Sequence, residues 1–239
     1  MKPTKPLGKK AYGSIPHLIN SRRGDGDRGI GEEEEKMFVS SKKNKNDIVI
    51  VQEKLDGSNV AIAKINGEIV ALIRAGYTAL SSPYELHHYF DKWVSVNKDK
   101  FYNLLEDGEW VSGEWLMVAH GTLYNLHHEP FVAFDIFNNG KRVPYNQFKE
   151  RCDDNNIVTP YLVHIGEPIS VKEALNMLGK HGKHGAIDEV EGVVYRIERN
   201  DEVISLAKFV KQNKEDGKYF IDNGSVFNKI NNISMEDMF

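Results

Sequence analysis

The segment Glu53-Lys-Leu-Asp-Gly-Ser-Asn59 carries residue types suited to covalent chemistry. A lysine amine is a nucleophile only when deprotonated, which calls for burial or cationic neighbours that depress its pKa. Lys54 stands at the end of one strand signal, just before a second. Gly57, lacking a Cβ, lets the backbone bend close to a ligand. Alone, the segment fits a solvated surface lysine equally well, because Lys-x-Asp-Gly arises by chance. The surrounding elements have to decide.

Ile48 to Val51 is a short apolar strand. Val60 to Ile65 and Glu68 to Arg74 flank Asn66-Gly67, the favoured type I′ pair, and so predict a β-hairpin. Ser82-Pro-Tyr-Glu85 reads as a capping box opening a helix whose face carries Leu86, Phe90 and Trp93. A second short helix is expected around Phe101–Leu105, ending at Gly108. Phe131 to Phe137 reads as a strand and Tyr145 to Cys152 as a helix. Ser170-Val-Lys-Glu173 is another capping box, leading to a stop at Gly179. Val193 to Ile197 and Val203 to Val210 predict a second hairpin. Interleaved strands and helices with two hairpins make the class α+β.

A chain of 239 residues allows one large domain or two small ones with a real core. Hydrophobic residues at 40% and charged residues at 28% suit a globular protein. No apolar run is long enough for a bilayer, so no membrane partner is expected. The start, Met-Lys-Pro-Thr-Lys-Pro, is followed by no apolar core; no signal peptide is expected, and the cytoplasm is the expected compartment. Asn232-Ile-Ser fits a glycosylation pattern, which carries no weight without a secretory signal.

The net charge of −4 excludes a polycation, so distribution matters more than the sum. Lys2, Lys5, Lys9, Lys10, Arg22, Arg23 and Arg28 oppose only Asp25 and Asp27 before the acidic run Glu32 to Glu35. This basic start could follow a phosphate backbone, or be a solvated terminus. The chain divides into a basic, glycine-rich arm and loop (1–47), a main domain (48–220) and a tail (221–239), with regular structure beginning near Ile48. Gly24 to Gly31 is no P-loop, since no Gly-Lys-Ser/Thr follows.

Cys152 is the single cysteine and reads as a buried small side chain. His181 and His184 lie in a glycine-flanked loop with no third ligand evident. His87 and His88 read as surface or packing residues on a helix, and His127 and His128 as loop residues. Tyr84, Tyr89, Phe90 and Trp93 could stack on bases, but at helical spacing they fit a core better.

Further segments follow Lys54 in a fixed order: Arg74-Ala-Gly-Tyr, Ser112-Gly-Glu-Trp-Leu116, Phe131-Val-Ala-Phe-Asp-Ile136, Glu191-Gly-Val-Val-Tyr195 and Ala207-Lys-Phe-Val-Lys211. Together they resemble the covalent nucleotidyltransferase superfamily of ATP-dependent ligases and capping enzymes. Within it they are most similar to RNA ligases of the RNA ligase 2 type from phages and bacteria, from about His17 to about Lys211. The His120-Gly-Thr and Phe131-to-Phe137 blocks favour the RNA ligase branch. The phage type would place the chain in an infected host's cytoplasm.

The resemblance implies a nucleotidyltransferase domain with antiparallel sheets and flanking helices around an ATP cleft. It implies a lysyl-AMP bond on Lys54, in a first motif that includes Asp56, Gly57 and Asn59. Glu53 would help to read adenine, Arg74 would bind the nucleotide sugar and substrate phosphate, and Phe134 would stack on adenine. Glu114 would hold the ribose hydroxyls, since a carboxylate accepts two hydrogen bonds at once. Glu191 would serve a magnesium ion, or manganese, which keeps most of its waters. Lys208 and Lys211 would neutralise the α-phosphate. Many relatives space these lysines two apart; here they are three apart, which leaves the role of Lys211 less secure.

The implied activity joins RNA 3′-hydroxyl and 5′-phosphate ends in three phosphoryl transfers. ATP and RNA ends are the implied partners. A capping-type guanylyltransferase and a non-catalytic nucleic-acid-binding module are the alternatives. Residues 212–239 are too few for the oligonucleotide-binding fold that capping enzymes append, and the full set Lys54, Glu114, Glu191 and Lys208 exceeds what a binder requires.

Overall fold

The computed structural model describes residues 4–221 and 224–230. Its helices are α1 (Glu32–Val39), α2 (Glu85–Val96), α3 (Lys98–Leu104), α4 (Tyr145–Asp154) and α5 (Val171–Leu178). Its strands are β1 (Asp47–Lys54), β2 (Ser58–Ile65), β3 (Glu68–Ile73), β4 (Trp110–Trp115), β5 (Asn125–Leu126), β6 (Phe131–Asn138), β7 (Lys141–Arg142), β8 (Leu162–Gly166), β9 (Gly192–Arg199), β10 (Glu202–Val210), β11 (Phe220–Ile221), β12 (Gly224–Ser225) and β13 (Lys229–Ile230).

Two antiparallel sheets organise the molecule. One runs β10-β9-β1-β8 and the other β3-β2-β4-β6-β7, giving the α+β class. Asn66 and Gly67 turn the β2–β3 hairpin with φ of 51° and 77°, and Asn200 and Asp201 turn β9–β10 at 49° and 59°. Helices α2 and α3 cover one face of the second sheet. There Phe90, Trp93, Phe101, Trp115 and Phe131 make ring contacts with centroids 5.2 to 5.9 Å apart. Each such pair adds about 0.5–1.5 kcal/mol beyond the buried area. This cluster fixes β4 and β6, which carry Glu114 and Phe134.

Ser170 caps α5 as expected, its Oγ accepting from Glu173 N at 3.2 Å while the Glu173 carboxylate takes Ser170 N–H. Ser82 does not cap α2, which corrects the reading of Ser82-Pro-Tyr-Glu85. Pro83 biases the preceding residue toward extended backbone, and Ser82 has φ −71° and ψ 144°. The helix therefore starts later, with Tyr84 at its N-cap, and Ser82 Oγ pairs with His87 Nδ1 at 2.6 Å instead.

Regular structure begins before Ile48, which corrects a second expectation. Glu32 to Glu35 form the first turn of α1, where carboxylates face the positive end of the helix dipole, and Phe38 on this helix is buried. The early segment packs on the body: Ala11, Tyr12, His17, Leu18 and Ile30 are buried, and Leu18 N–H donates to Lys208 O at 2.8 Å. Near the other end, β13 pairs with β5, and the buried Asn228 amide bridges Leu116 O and Tyr124 N. Asn232 lies outside the described residues. Among the described residues no helix is long and apolar enough to cross a membrane.

Candidate active site

A cleft of about 490 Å³ opens between the two sheets. Strand alternation decides what faces it. Val49 and Val51 pack into one hydrophobic core, so Gln52 and Lys54 fall on the opposite face of β1, the cleft face. Register extends that face sideways: Gln52 lies opposite Val194, and Val194 opposite Lys208. Across the cleft, register sets Asn59 of β2 beside Glu114 of β4. Phe134 sits at an irregularity of β6, where Ser112 pairs with Asp135 but Gly113 with Ala133.

Lys54 is the centre of the charge pattern. Its Nζ lies 2.7 Å from Glu191 Oε2, with side chains only 20% and 11% exposed. Burial alone would depress this ammonium, but the carboxylates of Glu191, Glu114 and Asp56 outweigh it and hold the amine above its ordinary pKa. This corrects the expectation of a depressed nucleophile: the surrounding carboxylates outweigh the burial of Lys54. Lys208 is the lysine pushed down, by burial first and then by the charge of Lys54. Glu114 is raised to about 7, chiefly by burial and against the pull of Lys54.

The turn after Lys54 is tightly held. Gly57 N–H donates to Glu114 Oε1 at 3.0 Å. A Cβ on Gly57 would meet Trp115 O at 2.6 Å, so only glycine fits this close approach. Asp56 N–H donates to the Tyr124 hydroxyl, while Asp56 Oδ2 accepts from Gly121 N and Thr122 Oγ1, each at 3.0 Å. Lys214 Nζ completes this knot, 3.3 Å from Asp56 Oδ2 and donating to Gly121 O and Thr122 Oγ1. Ser58 Oγ is 3.0 Å from His120 Nε2, and His120 lines the cleft.

The opposite wall is fixed from a distance in sequence. Tyr12 meets the Phe134 ring edge-on at 4.9 Å. Its hydroxyl donates to the buried Asp135, which also takes Arg142 and Arg196. A buried carboxylate so thoroughly partnered is a rigid anchor, and losing one cation would leave uncompensated charge. Arg74, just past β3, points its guanidinium at Ser14 Oγ, 3.2 Å away.

The cleft thus brings together Lys54, Asp56, Gly57, Asn59, Arg74, Glu114, Phe134, Glu191 and Lys208, and Glu53 borders it. The Glu53 carboxylate turns to the other face of β1, where Lys183 N–H donates to Oε2 at 2.9 Å. Its Oε1 has no partner, and burial raises the group to about 7. Lys211 does not line the cleft; its ammonium pairs with Glu189. Among the described residues no three His, Cys, Asp or Glu side chains gather as a metal cage. Glu191 alone is the sort of oxygen ligand that fits a hydrated hard cation sharing a nucleotide's phosphates.

Sequence reading missed Tyr12, Asp135, Arg196, His120, Gln52 and Lys214 as parts of this neighbourhood. One local signal existed: a charged Asp135 inside the apolar run 131–137 demands a buried partner. His181 is exposed, and His184 is buried against His128, Nδ1 to Nε2 at 2.8 Å, with Tyr161 N–H donating to its other nitrogen, as packing rather than metal ligation would have it.

Two antiparallel sheets facing across a lysine-floored cleft define a nucleotidyltransferase-type fold, one shared with a solved RNA ligase. The chain belongs to the RNA ligase family, whose model matches residues 47–210. An RNA ligase of Naegleria gruberi, a variant solved with ATP and Mn, superposes with TM-score 0.54 at 14% identity, over 88% of this chain and 61% of that one. The same organism's RNA ligase with PPi gives 0.53 at 18% identity, over 71% and 51%. An uncharacterized protein of Methanocaldococcus jannaschii is 25% identical over 175 residues, 63% of this chain. The chain spans 40% of that relative's length.

Proposed function

We propose that this protein is an ATP-dependent RNA ligase of the RNA ligase 2 type, which joins 3′-hydroxyl and 5′-phosphate ends through AMP carried on Lys54. The observation that carries this reading is a shielded lysine on the cleft floor, between the carboxylates of Glu191 and Glu114, with the cations Lys208 and Arg74 lining the same cleft.

Lys54 Nζ forms a bond to the α-phosphorus of ATP as the bond to pyrophosphate breaks, and the amine gives up its proton. AMP then passes to the 5′-phosphate of an RNA strand, and a 3′-hydroxyl displaces it. Lys208 and Arg74 offset phosphate charge along the way. Glu191 is the residue to hold magnesium, and a divalent ion bound there would neutralise phosphate charge and relieve the field that keeps Lys54 protonated. Phe134, braced by Tyr12, offers a ring to the base. Asn59 Oδ1, a cleft oxygen without a donor, suits a ribose hydroxyl.

The test is sealing of a 5′-phosphorylated RNA strand to a 3′-hydroxyl end, with ATP or GTP as the only nucleotide. Sealing with ATP alone supports the reading. Covalent labelling by GTP in preference to ATP would replace it with a guanylyltransferase. RNA binding without any covalent nucleotide would leave a binding module.

A further inference from the structure

Two pairs of aromatic side chains border the cleft, none of them drawn into the chemistry above. His87 and His120 line the cleft itself. Outside them stand Tyr84, 64% exposed, and Phe220, 55% exposed. Each outer ring leans edge-on against an inner one: Tyr84 on His87 with centroids 6.0 Å apart, and Phe220 on His120 at 4.7 Å. Each outer ring thus touches an inner one and stays open to solvent.

The inner pair is anchored. His87 Nδ1 is 2.6 Å from Ser82 Oγ, and His120 Nε2 is 3.0 Å from Ser58 Oγ. Ser58 follows Gly57 directly, so the rim is tied to the turn that carries the nucleophile. Both imidazoles are depressed, chiefly by burial, His87 to about 4, so at neutral pH they present uncharged rings. The sites for Phe90 and Trp93 differ: those rings are buried in the core, as their helical spacing foretold. Tyr84, on the residue that caps the same helix, is not.

We infer that Tyr84 and Phe220 form a stacking rim for the unpaired bases of an RNA strand whose phosphate end lies in the cleft. The chemistry follows from the two surfaces that adjoin. Lys54, Lys208 and Arg74 draw phosphate into the cleft, and an open ring at its mouth takes a base face. A base inside a duplex has both faces covered by its neighbours, and at a nick the terminal base still stacks across the break. Away from the outer ends of a duplex, only an unpaired base has a face free for a protein ring. The rim therefore selects single-stranded or frayed ends over a continuous nicked duplex. This rests on the RNA ligase reading and narrows its substrate class.

The test measures binding of a 5′-phosphorylated single-stranded oligoribonucleotide and of a nicked duplex of the same sequence, with lysyl-AMP formation as a separate readout. Tyr84→Leu with Phe220→Leu keeps apolar bulk and removes the rings, and Tyr84→Trp with Phe220→Tyr keeps rings. The leucine pair should weaken single-strand binding about tenfold or more, leave nicked-duplex binding unchanged and leave lysyl-AMP formation intact. The ring-retaining pair should restore it. Wild-type binding by the leucine pair, or equal losses on both substrates, overturns the rim. A wild-type protein that takes no AMP from ATP fails the ligase reading instead, while the binding comparison still judges the rim.

Discussion

Gly57→Ala tests how closely the turn after Lys54 is fitted. The new Cβ would lie 2.6 Å from Trp115 O and 2.8 Å from Leu116 Cδ2. Ordinary contact with the carbonyl is near 3.4 Å, so the backbone must move by roughly 0.8 Å or the strand must yield. Trp115 pairs with Ser58 of β2 and Phe131 of β6, and its side chain is fully buried, so β4 gives little. The turn moves instead, pulling Gly57 N–H from Glu114 and disturbing Asp56. Overpacking of this kind costs about 1–3 kcal/mol of stability. A displacement near 1 Å beside a reacting group costs about 10²-fold in rate. Lysyl-AMP formation from labelled ATP, followed by quenched time points on the folded variant, should be about 10²-fold slower, with a lowered Tm. A variant that labels at the wild-type rate with unchanged Tm would refute the reasoning about this contact.

Three further outcomes are expected. Glu53 is raised to about 7 by burial, against 4.5 unfolded, so the native state keeps a proton that the unfolded chain has lost between those pH values. Stability then falls as pH rises through that window, and Glu53→Gln should remove a loss on the order of 3 kcal/mol, read from denaturant midpoints at pH 5 and pH 8. Lys214→Met leaves the Asp56 carboxylate without its buried cation and should destabilise the fold by about 3 kcal/mol or more, with Lys214→Arg recovering part, by the same denaturation assay. Lys208→Ala should slow lysyl-AMP formation about 10²-fold or more, whereas Lys211→Ala, which loses only a pair with Glu189, should stay within about threefold.

What could be read from sequence divides along a physical line. Asn66-Gly67 and Ser170-to-Glu173 are local devices whose conformations are set within four residues, and both form as expected. The strand positions of Lys54 and Lys208 were legible too, because β1 and β10 have apolar patterns, whereas β4, with Ser112-Gly-Glu114 at its centre, carries no such pattern and was recognised only as a motif. Ser82 failed because two local rules competed, and the constraint before proline won. The early helix was hidden because Glu32 to Glu35 look like a solvated run until Phe38 has a core to bury into. The brace of Tyr12 on Asp135 spans 123 residues and leaves no trace in local pattern. Lys214, a lone charge in a polar stretch, becomes a buried partner of Asp56 only once the chain returns past Gly121. The charge state of Lys54 is likewise tertiary: the segment holds a lysine, but Glu191 and Glu114 decide its proton.

The most direct measurement is the intact mass of the protein before and after ATP with magnesium, beside Lys54→Ala. A mass increase of one AMP on the wild type, discharged by pyrophosphate and absent from the variant, is the predicted result. A wild type that carries no AMP before or after ATP, or an AMP adduct that persists in Lys54→Ala, would contradict Lys54 as the nucleophile.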